Sequence, residues 1–248
     1  APEGVIALTG DASLSDNWPV NLTVNGMVNT EPLKGEKVKL SLAGEVIGRL
    51  TLGLNLSGPV SAQLDAETEL ATAGLPLLLT LESKQVQWPL NGKSDYQLND
   101  TRLRLNGKAT DYALSLRSSI EGTDIPPASL LVDGKGNIEQ FTLSRLRLSA
   151  LQGKAELNGV VDWSKAISWN SVLTIDGINT AKQWPEWPAQ LNGKVTTRGS
   201  LYGGSWQINI PEIDLNGNVK QNPLLARGSA RGNDSGQWVI PGFNLRLG

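Results

Sequence analysis

Two pairs of carboxylates come nearest, in residue type and spacing, to a catalytic arrangement in this chain. Glu67 and Glu69 are two residues apart, as are Glu212 and Asp214, so in a β-strand both members of a pair project from one face. A glycosidase needs two carboxylates that face each other across a cleft. The neighbouring sequence does not predict burial of either pair, and acidic side chains are mostly solvated. We therefore expect both pairs on a water-facing surface.

Composition restricts metal and nucleophile chemistry. The 248 residues include no His and no Cys, which removes the common zinc ligands, the thiolate nucleophile and the base of a Ser-His-Asp triad. Residues 133–139 (DGKGNIE) place oxygen side chains at alternate positions but lack the ligand order of a calcium loop, so a hairpin turn is favoured. The sequence predicts a protein that is not an enzyme and holds no metal or cofactor.

Charge and hydropathy restrict the partners. The net charge is -2, without a basic block, which argues against a nucleic-acid partner. The longest strongly apolar stretch, residues 75–81, is far shorter than the roughly 20 residues of a membrane-spanning helix. Residues 1–4 lack the basic start and apolar middle of a signal peptide. Residues 243–248 continue the interior pattern, so we expect both ends to be cut from something longer.

Tryptophan residues mark several points along the chain. Trp-Pro steps occur at unequal intervals, at residues 18–19, 88–89 and 187–188. Proline is confined to sheet edges and strand starts, so each step predicts a place where the chain turns back into a sheet at its rim. The expected rim and packing anchors are Trp18, Trp88, Trp184 and Trp187. A sugar-stacking surface is the alternative for the tryptophans that are close in sequence, Trp163, Trp169, Trp184 and Trp187.

Two recurring patterns predict the backbone that positions these residues. Apolar residues alternate with polar ones over many stretches, for example residues 50–56 and 77–81, as in strands with one apolar face. Asn-Gly supplies the positive φ angles of tight hairpins, and Leu-Asn-Gly begins at Leu90, Leu105, Leu157, Leu191 and Leu215. The best short helical candidates are residues 11–17 and 179–184. The fold predicted is an all-β antiparallel sheet of repeated hairpins.

The domain organisation is predicted to be simple. The strongest local break is residues 121–127 (EGTDIPP), which we interpret as a loop within one continuous β segment over residues 1–248. Alternation fits a closed sandwich core and an open groove equally well, because both require one apolar face. The aromatic content of 5% favours the open groove, since acyl chains could fill the volume that aromatic side chains often fill in a sandwich.

Several stretches together resemble a known family. They are residues 112–116 (YALSL), 122–126 (GTDIP), 134–137 (GKGN), 148–153 (LSALQG), 173–177 (LTIDG) and 184–188 (WPEWP). The chain resembles the TamB family, periplasmic members of the AsmA-like group in Gram-negative bacteria, most strongly over residues 88–217. These are structural motifs that carry no catalytic signature.

The resemblance implies an elongated, curved sheet, U-shaped in section, whose apolar inner face conducts phospholipids between the inner and outer membranes. It also implies a periplasmic location and an inner-membrane anchor outside this sequence. The partners implied are phospholipid acyl chains and, through other parts of the full-length protein, the BamA-like outer-membrane protein TamA.

On this interpretation a set of aliphatic residues lines a lipid groove. They are Leu50, Leu52, Leu54, Leu56, Leu77, Leu79, Leu81, Leu103, Leu105, Leu114, Leu116, Leu173, Ile175, Ile208 and Ile210. Two other functions stay open. One is an assembly factor whose strand edges pair with strands of outer-membrane β-barrel or autotransporter proteins. The other is a β-rich adhesin or glycan-binding module.

Overall fold

The computed structural model describes residues 3–90 and 92–248, and every regular element in them is a β-strand. The strands are β1 (Gly4–Ala12), β2 (Pro19–Val28), β3 (Lys37–Glu45), β4 (Arg49–Ser57), β5 (Ser61–Glu69), β6 (Pro76–Trp88), β7 (Tyr96–Lys108), β8 (Asp111–Gly122), β9 (Ala128–Gly136), β10 (Gln140–Ala150), β11 (Gly153–Asp162), β12 (Ile167–Asn179), β13 (Ala189–Tyr202), β14 (Ser205–Val219), β15 (Asn222–Asn233), β16 (Trp238–Val239) and β17 (Asn244–Leu247).

The chain divides into two compact units, Ala1–Pro127 and Ala128–Gly248. In the first unit, β1 to β8 form a meander in which each strand pairs antiparallel with the next. In the second, β9 to β15 form another meander, and β16 and β17 both pair with β15. The predicted all-β antiparallel sheet of hairpins is confirmed. A single continuous groove over residues 1–248 stays a prediction.

Two local predictions are wrong. The Leu-Asn-Gly tripeptides at Leu105, Leu157, Leu191 and Leu215 lie within strands rather than in hairpin turns, and the tripeptide at Leu90 includes Asn91, outside the described residues. Glycine is required there by close strand approach: Gly217 has φ +154°, and an added Cβ would lie 1.8 Å from the Gln190 carbonyl oxygen.

The predicted helical segments are also not helices. Residues 11 and 12 belong to β1, and residues 13–17 form a loop and turn. In the segment 179–184, the carbonyl of Thr180 accepts from the backbone N–H of Gln183 at 3.1 Å and of Trp184 at 2.8 Å. This single turn stops at Pro185, which has no N–H with which to extend it.

The apolar residues are not enclosed in a core. Of the described residues, the buried hydrophobic ones are Val20, Ala128, Ala226 and Ala230. The chain exposes 15393 Å², whereas a globular protein of this mass exposes about 10,700 Å². The larger aliphatic side chains in the described residues are therefore shielded by neighbours within a sheet and not by a second layer.

β-Bulges interrupt the alternation in both units, and hydroxyl side chains accompany them. The Ser83 hydroxyl donates to a β5 carbonyl at 2.6 Å, and the hydroxyls of Thr101 and Ser118 are 2.8 Å apart. In the second unit, the hydroxyls of Ser171 and Thr197 are 2.8 Å apart beside the register shift between β13 and β14. Bulges bend a strand and increase its twist, so the sheet of each unit bends where these hydroxyl groups lie.

Aromatic rings cover glycines on neighbouring strands of the second unit. Trp169 on β12 pairs with Gly199 on β13, and a Cβ at position 199 would lie 2.2 Å from Cζ2 of the indole. A Cβ at Gly134 would lie 2.3 Å from Cζ of Phe141. The rings thus pack directly against the backbone of the sheet, in space that only a glycine leaves free.

We predict that Gly199→Ala lowers the free energy of unfolding by about 1–3 kcal/mol, because the new methyl group overpacks against Trp169. Urea titration followed by tryptophan fluorescence measures the change. Gly26→Ala is the matched control in a strand, since its nearest neighbour would be 3.5 Å from the added Cβ. Equal losses in the two variants would contradict the ring-over-glycine account.

Candidate functional site

One row of aliphatic residues crosses all the strands of the first unit. Residues paired directly across antiparallel strands lie on the same face of the sheet, and each of these side chains pairs with the next. This central row is Leu8, Val24, Leu40, Leu54, Leu64, Leu81, Leu103 and Leu116. It runs for about 34 Å, from an inter-strand spacing of about 4.8 Å.

Further rows widen this face to either side of the central row. One side carries Gly10, Leu22, Leu42, Leu52, Ala66, Leu79, Leu105 and Leu114. Outside these rows, Leu56 pairs with Val38 and Ala62, while Thr68 pairs with Leu50 and Leu77. All the predicted lining residues of the first unit therefore lie on one face, and each is half-buried.

The second unit has an equivalent aliphatic face. Its main row is Val132, Leu146, Leu157, Leu173, Val195 and Ile213. The adjacent row contains Leu130, Leu148, Ala155, Ile175, Gly193, Leu215, Ala226 and Leu245. We call these rows and those of the first unit the aliphatic face of each unit.

The structure does not place all predicted residues of the second unit in these rows. Leu173 and Ile175 belong to them, whereas Ile208 and Ile210 lie beyond the bulge in β14. Ile208 pairs with Gly199 and Gly232. That any of these residues contacts lipid stays a prediction.

Many members of the aliphatic faces are not among the residues predicted from the sequence to line a groove. Val24 and Leu40 alternate as clearly as the chosen leucines, so their pattern could have included them. Leu64 was harder to recognise, because β5 (SAQLDAETE) surrounds it with alanines and acidic residues. Only pairing with Leu54 and Leu81 shows that it belongs to the central row.

The carboxylates singled out from the sequence pair with basic or hydroxyl side chains. The nitrogen–oxygen distances are 3.2 Å for Arg49–Glu67, 2.7 Å for Lys194–Glu212 and 3.2 Å for Arg227–Asp214. Glu69 accepts a hydrogen bond from the Thr72 hydroxyl at 2.9 Å. Opposite charges on neighbouring strands stabilise pairing, so the three ion pairs support the strands from the polar face.

Two of the carboxylates in ion pairs have lowered pKa values. Arg147 donates a hydrogen bond to Glu156, which is the largest cause of the lowered pKa of that carboxyl. Lys194, and then Thr196 at 3.1 Å, donate to Glu212 and lower its pKa. Both carboxylates therefore favour the charged form, in which they hold adjacent strands together.

The predicted anchor tryptophans lie at strand ends or in connections. Trp18 lies between β1 and β2, Trp88 ends β6, and Trp184 and Trp187 lie between β12 and β13. The Lys220 ammonium is 3.6 Å from the centroid of the Trp187 ring, a cation–π contact within the chain. The role of these four residues as packing anchors stays a prediction.

Residues 137–139 form the predicted hairpin connection between β9 and β10, whereas residues 133–136 of the same stretch belong to β9. The Asn137 side-chain oxygen accepts from the backbone N–H of Glu139 at 2.8 Å and of Gln140 at 2.9 Å. Across residues 3–90 and 92–248, no three acidic side chains converge as a metal site requires. Nor does that part of the chain contain a helix with the length and hydropathy to cross a membrane.

Comparison with known proteins finds a matching family and similar bacterial proteins. The family described as "TamB, N-terminal domain" matches residues 1–248. The chain is 29% identical to the translocation and assembly module subunit TamB of Haemophilus influenzae, over 99% of the chain and 20% of that protein. It is 21% identical to an uncharacterized protein of Buchnera aphidicola, over 70% of the chain and 16% of that protein. The chain thus spans a fifth or less of these relatives. No solved structure matches it.

The lowered pKa of Glu156 predicts a dependence of stability on pH. The contribution of this carboxylate to the free energy of unfolding is fully present above its ordinary pKa of 4.5. It is lost as the pH falls through the lower pKa of the folded state. We expect the urea midpoint to fall in that acid range, and Glu156→Gln to flatten the fall.

Urea titrations from pH 7 to pH 3 test this expectation. Glu186→Gln is the control, because Glu186 forms no ion pair in the described residues. If the urea midpoint falls with pH to the same extent in both variants, the ion pair does not contribute to the pH dependence of stability.

Proposed function

Because the chain belongs to the TamB family, whose N-terminal domain matches all of it, we propose that its aliphatic faces form a section of a conduit for phospholipids. The conduit crosses the periplasm between the inner and outer membranes, and the role is not enzymatic. The observation that carries this proposal is the central row, aliphatic in every strand of the first unit and not covered by a second layer in the described residues.

The dimensions of the aliphatic face suit an acyl chain. Alternate residues along a strand are about 6.7 Å apart, so four rows are about 20 Å wide. An acyl chain spans about 15 Å, half of the hydrocarbon thickness of a bilayer. Each CH₂ group removed from water contributes about 0.8 kcal/mol, so the face offsets much of the cost of moving a two-chain lipid through water.

The uniformity of the rows also supports transport. A deep, specific pocket would hold a lipid at one place, whereas similar Leu, Val and Ile contacts keep successive positions close in free energy. In the central row, neighbouring strands offer the lipid a leucine or a valine at each step. A lipid can therefore move from strand to strand without a large change in apolar contact.

The larger assembly is part of the proposal. The Haemophilus relative is named as a subunit of a translocation and assembly module. We propose that the full-length protein is anchored in the inner membrane and contacts the outer-membrane protein TamA, both through segments beyond this chain. Phospholipid acyl chains are the expected ligand of the aliphatic faces.

A charge on the aliphatic face should block transport. We expect Leu54→Glu to abolish phospholipid transfer, because a carboxylate on the central row must be desolvated when a lipid passes. Asn55→Glu is the matched control, since it adds the same charge to the adjacent residue on the opposite face. The measurement is transfer of labelled phospholipid between inner and outer membranes in cells that carry each variant, with circular dichroism to check the fold.

A photocrosslinking residue at position 54 tests lipid contact directly. Phospholipid adducts are expected from position 54 and not from position 55. If position 54 never captures phospholipid, or if Asn55→Glu blocks transfer as strongly as Leu54→Glu, the conduit proposal is wrong.

The exposed edge strand supports a second candidate, an assembly factor that pairs with outer-membrane client strands. All residues of β1 are exposed, and within its unit β1 pairs only with β2. The Glu3 carbonyl accepts from Asn29 at 2.9 Å, and Ser13 donates to Pro19 at 3.1 Å. Because ladder groups alternate along a strand, the intervening even-numbered residues direct their backbone groups to the open edge.

A photocrosslinking residue in place of Ile6, which is 76% exposed, should capture client proteins if the edge pairs with them. Leu8→Pro should then reduce that capture, because it removes an outward N–H without breaking a bond to β2. Thr9→Pro, which removes a ladder N–H, is the control for general strand damage. Capture of phospholipid at position 54 with no client at position 6 would reject this second candidate.

A further inference from the structure

A cavity of about 680 Å³ lies on β12 to β16 of the second unit. A row of directly paired polar residues crosses it: Asn170, Arg198, Asn209 and Arg231. These residues alternate along their strands with Trp169, Gly199, Ile208 and Gly232, which also line the cavity. Successive side chains of a strand project to opposite faces, so the polar row lies on the face opposite to Trp169 and Ile208.

The cavity concentrates positive charge. Arg198 and Arg231 are its charged residues, and neither forms an ion pair in the described part of the chain. By contrast, Arg227 on the same strand as Arg231 pairs with Asp214 at 3.2 Å. Two inter-strand spacings put the Cα atoms of the two cavity arginines about 10 Å apart, with Asn209 between them. Like charges in a concave site create a potential that attracts anions.

The other polar residues of the cavity are neutral and can both donate and accept hydrogen bonds. They are Asn170, Ser200, Gln207, Asn209, Asn233 and Gln237. Amides and hydroxyls suit the hydroxyl groups of a polyol, whereas planar guanidinium groups bind phosphate oxygens with two parallel hydrogen bonds. The volume is within the usual range of about 300–1,000 Å³ for small-molecule sites.

We propose that this cavity binds a phosphate group joined to a polyol, as in a phosphoglycerol lipid headgroup or a soluble glycerol phosphate. Arg198 and Arg231 bind the phosphate from two sides, and the amide side chains bind the polyol hydroxyls. The site includes no residue of the rows proposed to hold acyl chains; Ile208 lines it, but the arginine side chains lie on the face opposite to Ile208. It therefore does not depend on the conduit proposal.

Two binding measurements on the full chain test the site and identify the source of the phosphate. Calorimetry with glycerol 3-phosphate probes a soluble ligand. Cosedimentation with phosphatidylcholine vesicles, with and without phosphatidylglycerol, probes a headgroup. Arg198→Gln combined with Arg231→Gln should weaken binding at least about tenfold, since two charge-assisted contacts are lost.

The matched control combines Arg104→Gln with Arg246→Gln. It changes the net charge equally, at arginines outside the cavity that also lack an ion pair in the described residues. Arg198→Lys combined with Arg231→Lys should retain part of the affinity, because the charge stays and the fork is lost.

The outcomes are distinct. Cavity-dependent binding of glycerol 3-phosphate supports the site with a soluble ligand, and cavity-dependent binding of phosphatidylglycerol vesicles alone supports it with a headgroup. Equal loss of binding in the cavity variant and the Arg104/Arg246 control overturns the proposal, because the attraction is then only net charge. The absence of binding to both probes also overturns it.

Discussion

Both units depend on strand register. In the described residues no second layer packs on the strands, so the register alone decides which side chains lie on the aliphatic face and which on the polar face. A shift of one residue in any pair would move its aliphatic side chains to the polar face. Cross-strand ion pairs oppose such a shift, and Lys154 with Asp176 is an example in which the partners are directly opposed. The fit of Trp169 over Gly199 opposes it on the other face. Register is thus specified from both sides of the sheet at once.

A sheet built this way distributes its stability along the chain. Each strand contacts mainly its neighbours, as in repeat proteins whose stability is a sum of local terms and nearest-neighbour terms. The bulges do not end the pairing of neighbouring strands. The register of β14 with β15 shifts between Ile210 and Ile213, and the pairing continues on both sides of the shift. The hydroxyls of Ser171 and Thr197 satisfy each other near the bend. An aliphatic face can therefore change direction while its rows continue.

The sequence predicted the strands well, because apolar residues at every second position, as in residues 50–56, have one face only in a β-strand. It also predicted that Leu54 and Leu116 share a face, although not that Leu64 lies between them in the same row. Short-range signals were misleading where tertiary contact decides: Leu215-Asn-Gly217 reads as a hairpin turn, yet Gly217 lies in β14 because the Gln190 carbonyl approaches it. The arginine cavity could not be predicted, since only the registers of β13, β14 and β15 place Arg198 and Arg231 on either side of Asn209.

In the two proposals, transport and recognition are assigned to opposite faces of the same sheet. A strong site for a phosphate within the aliphatic rows would trap a passing lipid and desolvate its arginines, a cost that apolar neighbours cannot offset. Placed across the sheet, Arg198 and Arg231 remain hydrated, and the rows that contain Leu173 and Ile175 stay uniform. Because neighbouring residues of one strand serve opposite faces, a specific site and a non-specific surface can occupy the same strands without interrupting each other.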